Sequence, residues 1–449
     1  QVAVFSIVVS SPGTIVTYDH WEDGYEASLN SPAQPTTLVW GDGNNANGVC
    51  PGFANDPTGL PAGTVISLRN VVPVNPRVQA NRYYDGGDQV GATRAITISR
   101  AGWENETGTV IASAVEVLRT LDHGTFYIAP VGTDVSTNQM FDYAGLMVMA
   151  DEDNTTVVID PDGPGAAAPT TNVINRGYPG LQVNGGIKKG ATVTSDKLVQ
   201  VHLITGDFNS RIESRSFVLR PVELWDSQYI IPVSTANAAF PCRAFILNTN
   251  STAITVTYTN RTGGGTLTVP ANNGLTVYNL PTNSGTLLKN TNGIAFTVVV
   301  AMHDTPTNTG DNDNYDWGFA PIPFKGLTTE LVCGWGPGSS DLPPVNNGSP
   351  VWVVPLAGST LYVDYDGDHA GPLTDSQGNQ YDYATNVSAL ASVRLYDPDN
   401  DQTGMRIYTL NGVLIAGAWG EDSSVAGTSN PYLDLGYALT PLPRPVLTK

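Results

Sequence analysis

Leu146-Met-Val-Met-Ala-Asp-Glu-Asp-Asn-Thr-Thr-Val-Val-Ile-Asp160 reads as two strands around a tight polar turn. The first arm is apolar, the second is rich in β-branched residues, and the Asp and Asn between them are turn formers. The same plan appears three more times. It stands at Phe5-Ser-Ile-Val-Val-Ser-Ser-Pro-Gly-Thr-Ile-Val-Thr-Tyr-Asp19, at Phe245-Ile-Leu-Asn-Thr-Asn-Ser-Thr-Ala-Ile-Thr-Val-Thr-Tyr258 and at Trp352-Val-Val-Pro-Leu-Ala-Gly-Ser-Thr-Leu-Tyr-Val-Asp-Tyr-Asp366. Each reads as a β-hairpin.

Two further elements recur downstream of each hairpin. One is Ala95-Ile-Thr-Ile-Ser, matched by Leu198-Val-Gln-Val-His, Ala295-Phe-Thr-Val-Val and Val413-Leu-Ile-Ala-Gly. The other is Val115-Glu-Val-Leu leading to Tyr127-Ile-Ala-Pro-Val, matched by Val222-Glu-Leu-Trp leading to Tyr229-Ile-Ile-Pro-Val. Gly318-Phe-Ala-Pro-Ile-Pro and Tyr437-Ala-Leu-Thr-Pro-Leu-Pro are weaker copies of it. A unit of roughly 100 residues repeated four times follows. The expected boundaries are 1–118, 119–224, 225–325 and 326–449. The expected fold is all-β, four pseudo-repeats of antiparallel sheet. Thr109 to Leu118, the best candidate for a helix, has Val and Ile content that favours a strand. The chain starts at a hairpin and stops on an element that elsewhere precedes one. That phasing suits a propeller-like ring in which the last unit pairs with the N-terminal hairpin and sheet edges are removed. A row of tandem β-sandwiches suits the repeats equally well. An insertion near 40–61, rich in Gly, Asn and Pro, is expected to be a functional or interface loop, with a passive surface loop as the alternative.

Composition excludes several classes. The 449 residues carry 21 Lys+Arg against 41 Asp+Glu, a net charge of -20, which opposes nucleic-acid binding. Charged residues are 14% while Gly and Pro number 47 and 32, which rules out a coiled coil. No apolar run is long enough to span a bilayer as a helix. A first residue of Gln suggests that a leader has been removed, and with scarce Lys it points to an extracellular or cell-surface location. The Asn-x-Ser/Thr sequons at Asn105, Asn154, Asn250, Asn260, Asn347 and Asn386 are candidate glycosylation sites. Cys50, Cys242 and Cys333 are widely spaced and form no disulfide framework or metal knuckle.

Catalytic signatures are sparse. No nucleophile elbow, zincin helix or phosphate loop occurs, and no organic cofactor motif. His20, His123, His202, His303 and His369 show no ligand spacing. Glu22 and Asp23, in His20-Trp21-Glu22-Asp23, are the best available pair for glycoside hydrolysis, where two acids about 5–10 Å apart are needed. Calcium fits better, because hard cations want several oxygens on one loop. Asp364, Asp366 and Asp368 have one-three-five spacing with Asp375 at the twelfth place, and Asp397, Asp399 and Asp401 repeat the spacing. Asp311, Asp313 and Asp316 form a third acidic loop. Asp-rich turns that cap hairpins are the competing reading. Tyr18, Trp21, Tyr25, Trp40, Tyr83 and Tyr84 form an aromatic set suited to binding a glycan or a protein, or to filling a core.

Thr17-Tyr-Asp-His-Trp-Glu-Asp-Gly-Tyr-Glu26 with Val39-Trp-Gly-Asp-Gly-Asn44 resembles the amino-terminal region of large bacterial cell-surface proteins that continue into "conserved repeat" modules. So do Tyr84-Asp-Gly-Gly-Asp88, Asp401-Gln-Thr-Gly-Met-Arg406 and Ala418-Trp-Gly-Glu-Asp422. Tyr127-Ile-Ala-Pro-Val and Asp151-Glu-Asp-Asn-Thr-Thr-Val157 are similar to the IgGFc-binding protein amino-terminal domain. These resemblances imply an extracellular β module of adhesive or matrix-forming proteins. The expected role is a non-enzymatic structural or adhesive subunit that self-assembles into a filament, sheath or surface layer. The alternatives are a carbohydrate- or protein-binding adhesin domain and, further off, a secreted glycoside hydrolase. Expected partners are other copies of the chain and surface glycans or proteins.

Overall fold

The computed structural model describes residues 2–72, 80–103, 112–135, 139–165, 167–178, 181–206, 214–236, 238, 241–302, 317–338, 348–425 and 435–442. They form strands and short 3-10 turns, with no α-helix among them. The first unit holds β1 (Val2–Val9), β2 (Val16–Asp19), β3 (Leu38–Trp40), β4 (Val65–Val71), β5 (Gln89–Ala92), β6 (Ile96–Trp103) and β7 (Ala112–Glu116). The second holds β8 (Gly124–Ile128), β9 (Tyr143–Ala150), β10 (Thr155–Asp160), β11 (Thr170–Ile174), β12 (Leu181–Val183), β13 (Thr192–Gly206) and β14 (Ser214–Val218). The third holds β15 (Gln228–Ile231), β16 (Cys242–Asn248), β17 (Ile254–Asn260), β18 (Gly263–Val269), β19 (Gly274–Asn279), β20 (Thr286–Asn290), β21 (Thr297–Met302) and β22 (Gly318–Phe319). The fourth holds β23 (Glu330–Val332), β24 (Val351–Pro355), β25 (Ser359–Asp364), β26 (Leu373–Thr374), β27 (Gln380–Tyr381), β28 (Tyr383–Val387), β29 (Val393–Leu395), β30 (Arg406–Tyr408), β31 (Ile415–Gly420), β32 (Gly436–Ala438) and β33 (Thr440–Pro441).

One strand order underlies all four units. The third is a sandwich of β15-β20-β17-β18 on β19-β16-β21-β22. The fourth repeats it as β23-β30-β25-β28 on β29-β24-β31-β32, with β33 outside β23 and a small β26–β27 hairpin. In the second, β13 is long enough to serve both layers: its first half lies between β8 and β10, its second between β9 and β14. The first unit has β4-β1-β6-β7 complete, but its other layer is only β3-β2-β5. Among the described residues it has no counterpart of the opening strand that β8, β15 and β23 supply elsewhere. The boundaries read from the sequence fall in or beside the 3-10 turns Thr120–Asp122, Val222–Leu224 and Phe324–Gly326.

Successive units stack face to face. In β24, Val351 and Val353 enter the fourth unit's own core while Trp352 and Val354 enter the third unit's. In β16, Ala244 and Ile246 face inward and Phe245 packs into the second unit's core, edge-on to Phe141 at 5.1 Å. In β1, Phe5, Ile7 and Val9 fill their own core while Val4 joins the fourth unit's. A strand buried on both faces needs apolar residues without alternation. That is why the first arm of three of the hairpins reads as an unbroken hydrophobic run, while in the first only the buried Ser6 interrupts it.

The stack closes into a ring. The central strands β7, β14, β22 and β32 touch in sequence, and β32 touches β7. Arg220 pairs with Glu116 at 3.4 Å across the first seam, and Trp317 Nε1 donates to the Glu421 carbonyl at 3.1 Å across the third. Ser6 Oγ donates to the Gly334 carbonyl at 2.7 Å, and Trp103 stacks on Trp335, across the last. Among the described residues every ladder stays within its unit, and β1 pairs with β4 and β6; the C-terminal residues expected to zip onto the N-terminal hairpin extend outside the described ones. Among the described residues packing joins the units. Two repeat registers also differ from the sequence reading. Val222 lies in a 3-10 turn, so the counterpart of Val115 is Phe217, and Ile415, one residue later than expected, matches Ile96.

Candidate functional site

The first unit gathers most of the notable chemistry. Alternation along β2 turns Val16 and Tyr18 into the core. The Tyr18 ring lies 5.1 to 6.0 Å from those of His20, Tyr84, Phe5 and Trp40. Its hydroxyl donates to the Asp88 carboxylate, which also accepts the Trp21 amide at 3.1 Å and the Asp85 amide at 3.3 Å. His20 Nδ1 is 3.8 Å from the same carboxylate, and Glu22 accepts the Tyr83 amide at 3.2 Å. His20, Glu22 and Asp88 are the one group of three potential metal ligands that comes together within 4.8 Å among the described residues. Burial pushes the Asp88 carboxyl up to about 8 and lowers His20, so the site holds a proton at neutral pH.

The neighbouring acids serve the local chain. Asp19 accepts the Glu26 amide at 2.8 Å, and Glu26 accepts the amides of Ala33 and Gln34 and the Thr37 hydroxyl. Asp23 pairs with Arg82 at 3.2 Å and accepts the Thr36 hydroxyl. Glu22 and Asp23 therefore face different partners. In the insertion near 40–61, the buried Asp56 carboxylate accepts amides from Gly41, Gly43 and Cys50 and ties the loop to itself. Gly41 is required there: at φ +90° a Cβ would meet the Thr14 carbonyl at 2.6 Å.

The six aromatic residues divide. Tyr18 and Trp40 are core residues and present no face to a partner, which corrects their reading as binding residues. Trp21, Tyr25, Tyr83 and Tyr84 are half-buried. Tyr25 donates to the Gly87 carbonyl at 2.7 Å and takes the Arg176 guanidinium over its ring at 4.0 Å, linking the first and second units.

The acidic loops of the fourth unit lie close enough to feel one another, since Asp366 is raised by burial and then by Asp368, Asp399, Asp382 and Asp401. Asp364 is fully buried, is pushed up to about 6 by burial, and accepts the His369 amide through one oxygen while the other has no partner. Asp397, Asp399 and Asp401 accept the amides two residues on, of Asp399, Asp401 and Thr403, as Asx turns do. Asp375 is used up by Gln377, Asn379 and Tyr408. Asp311, Asp313, Asp316 and His303 lie outside the described residues, as do Asn105 and Asn347. Asn154 is exposed in a left-handed turn and Asn386 is exposed on β28, Asn250 is half-buried, and the Asn260 amide is buried against the Tyr278 hydroxyl. All three thiols are buried and free.

A cavity of about 710 Å³ opens between the first and second units. Asp88 and Val90 border it on one side, Met149 and Asp151 on the other. His123, also on its wall, sits 2.9 Å from both Asp151 oxygens. Sequence reading passed over Asp88, Asp151 and this His–Asp pair, because their partners lie in remote segments. No helix among the described residues is long and apolar enough to cross a membrane. No family model and no curated protein matches the chain.

Proposed function

We propose that this protein is a structural or adhesive building block that acts by surface contact and assembles with copies of itself into a filament, sheath or layer. The observation that carries the reading is the ring's rim. Closure buries the central edges of the sheets but leaves β3, β4, β11, β12, β18, β19, β28 and β29 as outer edges. Large apolar side chains stand exposed along them: Val71 on β4 is 69% exposed, Val173 on β11 65% and Tyr383 on β28 43%. Open edges with exposed apolar residues are templates for pairing with another chain. The acidic surface supports a role for divalent cations in bringing copies together, with the loops around Asp364 and Asp399 as the first place for Ca²⁺ to act. Secretion or display at a cell surface suits the same reading.

Electron microscopy and sedimentation of purified protein, with calcium and with chelator, test it. Ordered polymers that a Val173→Lys, Tyr383→Lys double variant fails to form are expected. Particles that remain single across protein and calcium concentrations refute it. Glycan binding by such single particles would favour the adhesin reading.

A further inference from the structure

The ladder between β2 and β5 ends on Asp19 opposite Gln89. One step further, the same antiparallel register sets His20 opposite Asp88. Their side chains meet there: His20 Nδ1 lies 3.8 Å from Asp88 Oδ2 and 3.3 Å from the Tyr83 carbonyl oxygen. Glu22, two residues on, comes round to the same point. One ligand atom from each of His20, Glu22 and Asp88 lies within 4.8 Å of the other two, and no other set of three His, Cys, Asp or Glu residues does so among the described residues.

The three side chains are held in place as well as close. The Tyr18 hydroxyl and the Trp21 and Asp85 amides donate to the Asp88 carboxylate, and the Tyr83 amide donates to Glu22. The His20 ring packs against those of Tyr18 and Tyr84 at 5.1 and 5.4 Å. Outer partners of this kind fix the orientation of metal ligands. The setting is also dry: the side chains of His20 and Asp88 are 6% and 2% exposed, and Glu22 is buried with them. Buried carboxylates are paired with a cation or bound to a metal. Arg82 is taken by Asp23, and the one ion-pair partner of Asp88 among the described residues is His20, an imidazole that is itself buried.

We propose that His20, Glu22 and Asp88 bind one divalent transition-metal ion, zinc fitting best, and that the ion clips the end of the β2–β5 ladder. Two ligands on a tetrahedral ion with bonds of about 2.1 Å stand about 3.4 Å apart. The His20 separations of 3.3 Å from the Tyr83 carbonyl and 3.8 Å from Asp88 bracket that spacing, so the carbonyl is placed to be a fourth donor. An imidazole among carboxylates selects zinc over calcium and magnesium, which take oxygen ligands. Asp88 borders the cavity between the first and second units, which gives an ion its way in. The layer that the clip would hold is small, three strands of 3, 4 and 4 residues. Gly87, beside the site, accepts the Tyr25 hydroxyl at 2.7 Å, and Tyr25 carries Arg176 of the second unit on its ring. A bound ion therefore stiffens the first unit where it meets the second.

The site is separate from the acidic loops proposed for calcium and does not rest on assembly, so it is tested on dilute, single particles. Metal-stripped full chain is titrated with Zn²⁺ at neutral pH by calorimetry. One zinc per chain, bound in the micromolar range or tighter, is expected. Glu22→Gln and Asp88→Asn should each weaken binding by at least about tenfold, while Glu152→Gln, an exposed acid in the second unit, leaves it unchanged. X-ray absorption at the zinc edge of the loaded parent should show one imidazole with oxygen neighbours at about 2.0–2.2 Å and no sulfur. That spectrum needs no variant, so it decides even where a substitution unfolds the first unit. Zinc should also slow amide exchange in Gln89–Ala92. A parent that binds no zinc tightly overturns the proposal and leaves His20 Nδ1 as a hydrogen-bond donor to the Tyr83 carbonyl. Equal binding by parent, Glu22→Gln and Asp88→Asn, a spectrum without nitrogen, or exchange unchanged by zinc also overturns it.

Discussion

Replacing Gly436 with Ala puts a methyl group at the centre of the ring, where β32 meets Trp317 of the third unit. The new Cβ would lie 2.1, 2.6 and 2.7 Å from three atoms of the indole. Carbon atoms pack at about 3.5–4.0 Å, so the ring must retreat by about 1 Å or more. It has little room, because Gly420 also backs onto it so closely that a Cβ there would lie 2.6 Å from the indole, and its Nε1 is tied to the Glu421 carbonyl at 3.1 Å. Overpacking costs about 1–3 kcal/mol and a lost buried hydrogen bond about 1 kcal/mol more, giving about 2–4 kcal/mol. Gly86→Ala is the control, since its Cβ meets nothing within 4 Å. Urea unfolding of the two variants and the parent, followed by tryptophan fluorescence, measures the difference. A Gly436→Ala midpoint equal to that of Gly86→Ala would refute the packing of the fourth unit against the third, because only contact between these units makes this position tight.

Asp88→Asn should flatten the dependence of stability on pH. Its folded-state carboxyl is raised by burial to about 8, so the fold favours the protonated form and stability falls as pH rises from the ordinary carboxylate range through 8, by about 1.4 kcal/mol per pH unit for one group. Thermal melts between pH 5 and 8 read this, and equal slopes for parent and variant would contradict it. Asp364, raised to about 6 by burial, should weaken the metal-free fold between the ordinary range and pH 6 in the same sense, and calcium should restore it. A melting temperature at pH 7 that is indifferent to calcium counts against a cation there. Burial pushes the Cys50 and Cys242 thiols up to about 12, so native protein should react with a thiol reagent only after unfolding; fast labelling would place a thiol at the surface. Tyr229→Phe should cost about 1 kcal/mol, because its hydroxyl links the Asp226 amide to the Phe296 carbonyl. A change under a few tenths in urea unfolding would show that the opening strand is held by other means.

Where a segment's structure is set by its own residues, the sequence was easy to read. Alternating β-branched arms, Asp-rich turns and unbroken runs such as Val351-Trp-Val-Val354 reflect local geometry and burial on two faces, and they reveal strands, hairpins and the fourfold repeat. The Asx turns from Asp397 to Thr403 are legible for the same reason. The acids near Glu22 were harder, since Asp23 meets Arg82 and Glu22 meets Tyr83 across about sixty residues of chain.

By itself, then, the sequence determined an all-β chain of four like units, because side-chain period and turn chemistry act over a few residues. Only tertiary structure decided that these units close into a ring, that Tyr18 and Trp40 are core, and that Asp88 and Ile96 border a cavity between two units. Those outcomes depend on which sheet faces meet, and that is set by the fit of surfaces hundreds of residues apart, which no local pattern encodes.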